Sequence, residues 1–285
     1  MSYVVAITGT NGFIGRYVCQ MAASLFPDIR LVPLYSIPSG FTHHSDRAIA
    51  EGSSLSSKLS ECDVLLLLGA HSTVQPYSTH LECVQQNIVL NMHLLENARI
   101  SGITKILAVG TCFEYGLSAL NEDFLTPNSL LLPIGSYPSS KAAFCVLALD
   151  WAMEFKIKLI YSRLFQIYGQ GEHPSRLYPL LLNAAHSGKD FTLMQPNVIR
   201  DFMHVNEAAK CLLDSLYFLL KCDQNFSPTI ENICSGIGTS VKDFASSIWS
   251  NTNSSGTLFY GTNEPRRVDI PRIVGQPFRV FDAKL

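Results

Sequence analysis

The first sixteen residues contain the feature that most constrains the fold. An apolar run, YVVAIT, is followed at once by GTNGFIG and then by a segment of helical period. Gly9 permits a tight turn, Gly12 lets the backbone approach a pyrophosphate, and Gly15 lets a helix pack on its strand. A helix that begins here directs its free N–H groups at the phosphates. The segment therefore predicts the strand, turn and helix that open a βαβ unit.

Short apolar runs then alternate with longer segments of helical period. VQQNIVLNMHLLENARISG, for example, lies between DVLLLLG and TKILAVGT. This order is typical of parallel strands joined by right-handed helical crossovers. We expect an α/β fold, a Rossmann-like doubly wound parallel sheet with a smaller C-terminal α/β substrate-binding lobe. Residues 1–168 would form the NAD(P)-binding domain, and 169–285 mainly the lobe, with some strands returning to the sheet.

Composition narrows the choice of partners. Of the 285 residues 47% are hydrophobic and 15% charged, and the formal charge is −2, which favours neither nucleic acid nor an anionic membrane. No apolar run approaches the ~20 residues of a membrane span, and the N-terminus lacks a secretory pattern, so we expect a cytoplasmic protein. The eight cysteines are scattered without metal-ligand spacing, so no metal site is predicted.

SYPSSKAAF contains a tyrosine and a lysine four residues apart, Tyr137 and Lys141. On a helix this spacing places both side chains on one face. A lysine there lowers the pKa of the phenol and can hold a cofactor ribose, so Tyr137 can exchange a proton with a carbonyl or hydroxyl oxygen. The pair gains weight because it follows both the glycine-rich turn and a strand that ends at Thr111.

At this point the sequence resembles the extended short-chain dehydrogenase/reductases that act on nucleotide sugars. The matching segments run in the family's order along the chain. They are TGTNGFIG, DVLLLLGAH, Asn87 in QQNIVLNMHLLENA, GTCFEYG, YPSSK, RLFQIYGQGE, IRDFMHVNEAA, NICSGIGTSV and EPRRVDIP.

The resemblance implies a role for each matching residue. Thr111 would orient the reacting oxygen, Tyr137 would act as acid and base, and Lys141 would bind the ribose. The implied cofactor residues are Gly9, Thr10, Asn11, Gly12, Phe13, Ile14, Gly15, Arg16, Tyr35, Ser36, Leu68, Gly69, Ala70, Asn87, Tyr137 and Lys141. The implied substrate residues are Thr111, Phe113, Gln166, Arg176, Arg200, Arg266 and Arg267. Two alternative interpretations stay open. Asn87 could hydrogen-bond only a neighbouring backbone group instead of lying near the cofactor, and Arg266 and Arg267 could be surface charges instead of substrate ligands.

The cofactor preference depends on the end of the second strand. An acid there would bind the ribose 2′-hydroxyl of NAD, but LVPLYSIPSG contains Tyr35 and Ser36 and no acid. Arg16, directly after Gly15, could reach a 2′-phosphate. NADP, as NADPH, is therefore the predicted cofactor, and NAD is the less favoured one.

The residues after Thr111 narrow the reaction. The family's 4,6-dehydratases place an Asp-Glu pair there, whereas this chain has Cys112 and Phe113. Neighbours on a strand point to opposite faces, so Cys112 should turn away from the side that Thr111 presents. Glu114 could face substrate, cap a turn or face solvent.

The prediction is an NADPH-dependent reductase for the C4 ketone of a dTDP- or CDP-4-keto-6-deoxy sugar, serving bacterial surface polysaccharide (O-antigen, lipopolysaccharide) synthesis. Relatives often form homodimers through a four-helix bundle, so a homodimer is expected. The alternatives are an NAD-dependent nucleotide-sugar 4-epimerase and a non-catalytic NADP-binding regulatory protein.

Overall fold

A computed structural model describes residues 2–34, 52–223, 226–261 and 270–280. The strands are β1 Tyr3–Thr8, β2 Ile29–Pro33, β3 Val64–Leu67, β4 Lys105–Thr111, β5 Lys158–Leu164, β6 Gln166–Tyr168, β7 Phe191–Leu193, β8 Ile199–His204, β9 Thr229–Ile233, β10 Gly238–Ser240, β11 Leu258–Tyr260 and β12 Arg272–Ile273. The α-helices are α1 Phe13–Leu25, α2 Gly52–Leu59, α3 His80–Val84, α4 Leu90–Ile100, α5 Ser136–Glu154, α6 Leu177–His186, α7 Val205–Lys221 and α8 Val241–Ser250. Within these ranges, none of the helices has the length and apolar character needed to cross a bilayer.

Six strands form one parallel sheet in the order β2-β1-β3-β4-β5-β9. Its central strands are apolar on both faces; all four residues of β3 are buried, for example. A parallel strand covered by helices on both sides has this pattern, because both of its faces lie in a core. The predicted α/β class with a Rossmann-like parallel sheet is confirmed.

The two faces of the sheet carry different helices. On one face Val5 and Ile7 of β1 share a core with α1 and with α7, which contributes Leu212 and Leu216. On the other face Ala6 packs in a second core with α2, α4 and α5. Successive strand residues point to opposite faces, which is why neighbours in β1 belong to different cores. A leucine-to-alanine change at Leu212 or Leu216, both fully buried, would cost about 2–5 kcal/mol.

The smaller sheets lie beyond residue 165. β8 pairs with β10, β12 and β6, and β7 pairs with β11. Two elements of the range 169–285 are associated with the large sheet instead. Strand β9 is its edge strand, and helix α7 packs with α1 on one of its faces. The domain boundary at residue 168 stays a prediction.

Candidate active site

The glycine-rich turn between β1 and α1 is a close-packed backbone cradle. Gly9 has a φ of +78°, and a Cβ built on it would lie 2.7 Å from the Gly69 nitrogen. A Cβ on Gly15 would collide with the Gly9 carbonyl oxygen. Gly12 is the N-cap of α1 and supplies no side-chain cap, and the first turn has no acidic residue. The first N–H groups of α1 therefore suit the phosphates of a dinucleotide.

A cavity of about 750 Å³ adjoins this cradle at the carboxyl ends of the central strands. Ligands in open α/β sheets bind at this edge. Sixteen of the residues predicted from the sequence line the cavity. They are Gly9, Thr10, Asn11, Gly12, Phe13, Ile14, Gly15, Leu68, Gly69, Ala70, Thr111, Phe113, Tyr137, Lys141, Gln166 and Arg176.

Several predicted residues do not line the cavity. Arg16 is exposed and donates a hydrogen bond from Nη2 to the Gly171 carbonyl oxygen at 3.0 Å. Arg200 donates from Nη1 to the Ile199 carbonyl oxygen at 2.8 Å. Both guanidinium groups therefore have backbone acceptors outside the cavity wall. Four further predicted ligand-binding residues, Tyr35, Ser36, Arg266 and Arg267, lie outside the described residues.

Asn87 is buried in a π-helical turn, Gln85–Val89, rather than in the cavity wall. Its Oδ1 accepts a hydrogen bond from the His71 N–H at 2.8 Å. Its Nδ2 donates to the His71 carbonyl oxygen at 3.2 Å and to Ser140 Oγ at 3.0 Å. Asn87 thus ties the loop after β3 to α5. Its partners are the His71 backbone and the Ser140 hydroxyl, so the interpretation that gave it only neighbouring backbone is wrong, and its role beside the cofactor stays a prediction. Its neighbour Gln86, which the sequence did not single out, lines the cavity.

The three predicted catalytic residues meet at this cavity. Thr111 ends β4, and α5 begins at Ser136, so Tyr137 and Lys141 occupy its first two turns. The three are 7%, 7% and 2% exposed. The sequence predicted that Lys141 would lower the pKa of Tyr137, but in the structure burial raises this pKa, and the nearby Glu114 carboxylate raises it further. Burial lowers the pKa of Lys141, with Glu114 opposing that shift. The phenol is therefore held in its protonated form.

The strand ends at Thr111 and the next residues form a 3₁₀ turn, Cys112–Glu114, so the strand alternation used to predict the orientation of Cys112 does not apply. Cys112 is 2% exposed in a core with Phe165, and burial raises the pKa of its thiol to about 12. Such a thiol is a poor nucleophile at neutral pH. Phe113 lines the cavity. Glu114 is fully buried, caps the turn by accepting the Thr111 N–H at 2.8 Å, and pairs with Arg163 Nε at 2.8 Å.

The segment after β6 contributes cavity residues that the sequence did not single out, Glu172 and His173. The Glu172 side chain is 6% exposed, and Arg176 Nε lies 4.0 Å from its Oε1. Its Oε2 is buried and has no hydrogen-bond partner among the described residues. Burial raises the pKa of Glu172 to about 7. In the sequence, the one indication that this segment would line the cavity was the position of GQGE, residues 169–172, directly after a strand.

Comparison with known proteins identifies the family of this chain. Residues 5–234 match the NAD dependent epimerase/dehydratase family. The chain belongs to this family, as the resemblance predicted.

Two curated relatives show the range of related enzymes. A dTDP-glucose 4,6-dehydratase from Haemophilus influenzae is 30% identical over 234 residues, covering 71% of this chain and 68% of that protein. A trifunctional UDP-glucose 4,6-dehydratase/UDP-4-keto-6-deoxy-D-glucose 3,5-epimerase/UDP-4-keto-L-rhamnose-reductase from Arabidopsis thaliana is 24% identical over 227 residues, covering 72% of this chain and 34% of that protein. The chain spans 34% to 49% of the length of three curated relatives that it matches.

A solved structure has the same fold. RMD from Pseudomonas aeruginosa, complexed with NADPH, superposes with a TM-score of 0.80 at 19% identity, covering 99% of this chain and 92% of that one.

Proposed function

We propose that this protein reduces the C4 ketone of a nucleotide-activated 4-keto-6-deoxy sugar, with NADPH as the reductant. The observation that carries the proposal is that Thr111, Tyr137 and Lys141 line the same cavity as the glycine-rich cradle. The two positions after Thr111, which hold an acid pair in the family's dehydratases, are a buried thiol and a phenyl ring. Neither side chain can serve as acid and base for the elimination of water.

Each of the three residues has a distinct task in the proposed reaction. The Thr111 hydroxyl oxygen accepts a hydrogen bond from the Phe113 N–H at 3.4 Å, which leaves its own hydrogen to donate to the ketone oxygen. Tyr137 donates the proton to that oxygen as it becomes a hydroxyl. The buried Lys141 ammonium stabilises the phenolate that remains. A bound NADPH would supply the hydride.

The choice of NADPH rests on the absence of an acid in LVPLYSIPSG. Arg16 donates one of its five N–H groups to Gly171 and has others for a 2′-phosphate. Arg176, in the cavity wall, suits the substrate diphosphate because its guanidinium is a planar donor fork. A dTDP- or CDP-sugar is the proposed substrate, in a cytoplasmic step of bacterial surface polysaccharide synthesis such as O-antigen or lipopolysaccharide formation.

A homodimer is part of the proposal. Helix α5 exposes Val146 and Leu147 at 57% and 45%, and the α3–α4 segment exposes Leu81 and Val89 at 67% and 42%. Exposed large apolar side chains on two adjacent elements are suited to burial against a second copy.

The test is to incubate the purified protein with dTDP- and CDP-4-keto-6-deoxy sugars and to follow the absorbance of NADPH. The proposal expects consumption that depends on the keto sugar. No consumption, together with NAD that stays bound through purification, would replace the reductase with a 4-epimerase. NADPH binding without turnover of any sugar nucleotide would instead favour a regulatory protein.

A further inference from the structure

A buried polar network lies beneath the three predicted catalytic residues and outside the cavity wall. Its centre is the Glu114 carboxylate, which is 0% exposed. Oε1 accepts the Thr111 N–H at 2.8 Å and the Tyr161 hydroxyl at 2.9 Å, and Oε2 accepts Arg163 Nε at 2.8 Å. A buried carboxylate with this many donors is held in one geometry, because each lost partner would leave a desolvated charge.

The Tyr161 hydroxyl extends the network to α5. It lies 2.9 Å from Glu114 Oε1 and 3.1 Å from the Lys141 carbonyl oxygen, so its single hydrogen serves two acceptors. Glu114 holds the end of β4 at Thr111, and Tyr161 connects that turn to the helix that carries Lys141. Strand β4 and helix α5 also pack together through the apolar core, and the Tyr161 hydroxyl adds a polar connection at the level of Thr111 and Lys141.

The backbone is shaped to admit this connection. A Cβ on Gly110 would collide with both the Tyr161 ring and Glu114 Oε1. Glycine next to Thr111 is therefore required by the network itself. On the far side, Arg163 Nη1 donates to the Tyr115 hydroxyl at 3.0 Å, and that hydroxyl donates to Asn232 Oδ1 at 2.6 Å.

We infer that Glu114 and Tyr161 are positioning residues that set the separation of Thr111 from Lys141 in the proposed reaction. They touch neither substrate nor cofactor, since neither residue lines the cavity. A displacement of about 1 Å at a reacting group lowers turnover by about a hundredfold, so even a slight relaxation of this connection would be measurable. The expected loss of turnover rests on the proposed function. The expected loosening of the connection between Thr111 and Lys141 rests on the hydrogen bonds alone.

The negative charge of Glu114 also supports its assignment as a positioning residue. Burial lowers the pKa of Lys141, and Glu114 is the largest contribution in the opposite direction. Glu114 also raises the pKa of Tyr137. Among the described residues, the titratable groups whose pKa is affected by the Glu114 charge are Cys112, Tyr115, Tyr137, Lys141, Cys145, Tyr161 and Arg163. Loss of the Glu114 charge would therefore lower the pKa of both Tyr137 and Lys141.

The test compares two substitutions of the same kind, Tyr161→Phe and Tyr115→Phe. Both tyrosines are fully buried in the network, and each variant loses one hydroxyl. Of these two hydroxyls, that of Tyr161 contacts Glu114 and the Lys141 carbonyl and that of Tyr115 does not, so Tyr115→Phe is the matched control. We expect kcat to fall about tenfold to a hundredfold in Tyr161→Phe, with an unchanged Kd for NADPH, and to stay within about twofold of wild type in Tyr115→Phe. Equal kcat values in the two variants would overturn the inference.

A third variant, Glu114→Gln, tests the charge. It keeps an acceptor for the Thr111 N–H and removes the negative charge, so the alkaline limb of the kcat profile should move to lower pH. Because Arg163 then loses its ion-pair partner, folding is checked by thermal unfolding, and Glu114→Asp should restore the position of the limb. An unshifted limb in folded Glu114→Gln would contradict the electrostatic role.

A measurement without turnover separates this inference from the proposed function. Amide hydrogen exchange should become faster at 136–141 and at Thr111 in Tyr161→Phe but not in Tyr115→Phe. If the wild type consumes no NADPH and this difference appears, the proposed function fails and the positioning inference stands. If exchange is the same in both variants, the inference fails whatever the activity.

Discussion

The buried carboxyl of Glu172 predicts an inverse relation between stability and pH. Burial raises its pKa to about 7 in the folded protein, against an ordinary value of 4.5. The folded state therefore binds more protons than the unfolded state between these two values. Stability from this group is fully present below about pH 4.5 and is lost as the pH rises through about 7.

The change in the free energy of unfolding follows from the size of this pKa shift. At about 1.4 kcal/mol per pKa unit, the full shift corresponds to about 3 kcal/mol. Because Glu172 lines the cavity and is not enclosed on all sides by protein, we reduce this figure to about 2 kcal/mol for solvent screening. Glu172→Gln cannot ionise and should remove this pH dependence. We expect the variant to gain about 2 kcal/mol relative to wild type between pH 5 and pH 8.

Urea unfolding at a series of pH values measures this difference, provided that the m-value stays constant. Glu61→Gln is the control, because Glu61 is exposed on the surface. Its stability should follow the wild type at every pH. Parallel pH curves for wild type and Glu172→Gln would refute the reasoning, and so would a loss of stability in Glu172→Gln at pH 8.

Three further predictions concern the cradle, the turn after β4 and the smaller sheet. Gly15→Ala should abolish NADPH binding in a fluorescence titration, because its Cβ would collide with the Gly9 carbonyl; retained binding would contradict the role of the cradle. Cys112→Ala should keep kcat within about twofold while lowering the free energy of unfolding by about 1 kcal/mol, and a large loss of kcat would mean that the thiol takes part in the reaction. Asp201→Asn should destabilise the protein by about 3 kcal/mol in denaturant unfolding, since this carboxylate accepts backbone N–H groups from Ser235, Gly236 and Gly275; a change under 1 kcal/mol would show that these contacts are weak.

Local patterns were sufficient for the first βαβ unit. Gly12 and Gly15 both pack against the carbonyl of Gly9, so most of this turn is determined by residues within seven positions of one another, although Gly9 also packs against Gly69. The four-residue spacing of Tyr137 and Lys141 likewise depends only on helix geometry. Features of this kind can be read from the sequence, because the residues that determine them are close together along the chain.

The environment of Glu114 could not be read in this way. Its partners Tyr161 and Arg163 are 47 and 49 residues away and reach it only because β5 pairs with β4. The same limit applies to Asn87, whose partner Ser140 is 53 residues further along the chain. For both side chains the sequence left several roles open, because their hydrogen-bond partners are brought near only by tertiary pairing.

The most direct test of the proposed activity is the fate of the transferred hydrogen. The protein would be given NADPH deuterated at the transferring position and dTDP-4-keto-6-deoxyglucose, and the product would be examined by NMR. The account predicts one deuterium at C4 of the sugar, formed by the wild type and reduced by at least about a hundredfold in Tyr137→Phe. A product without deuterium at C4, or unchanged turnover in Tyr137→Phe, would contradict it.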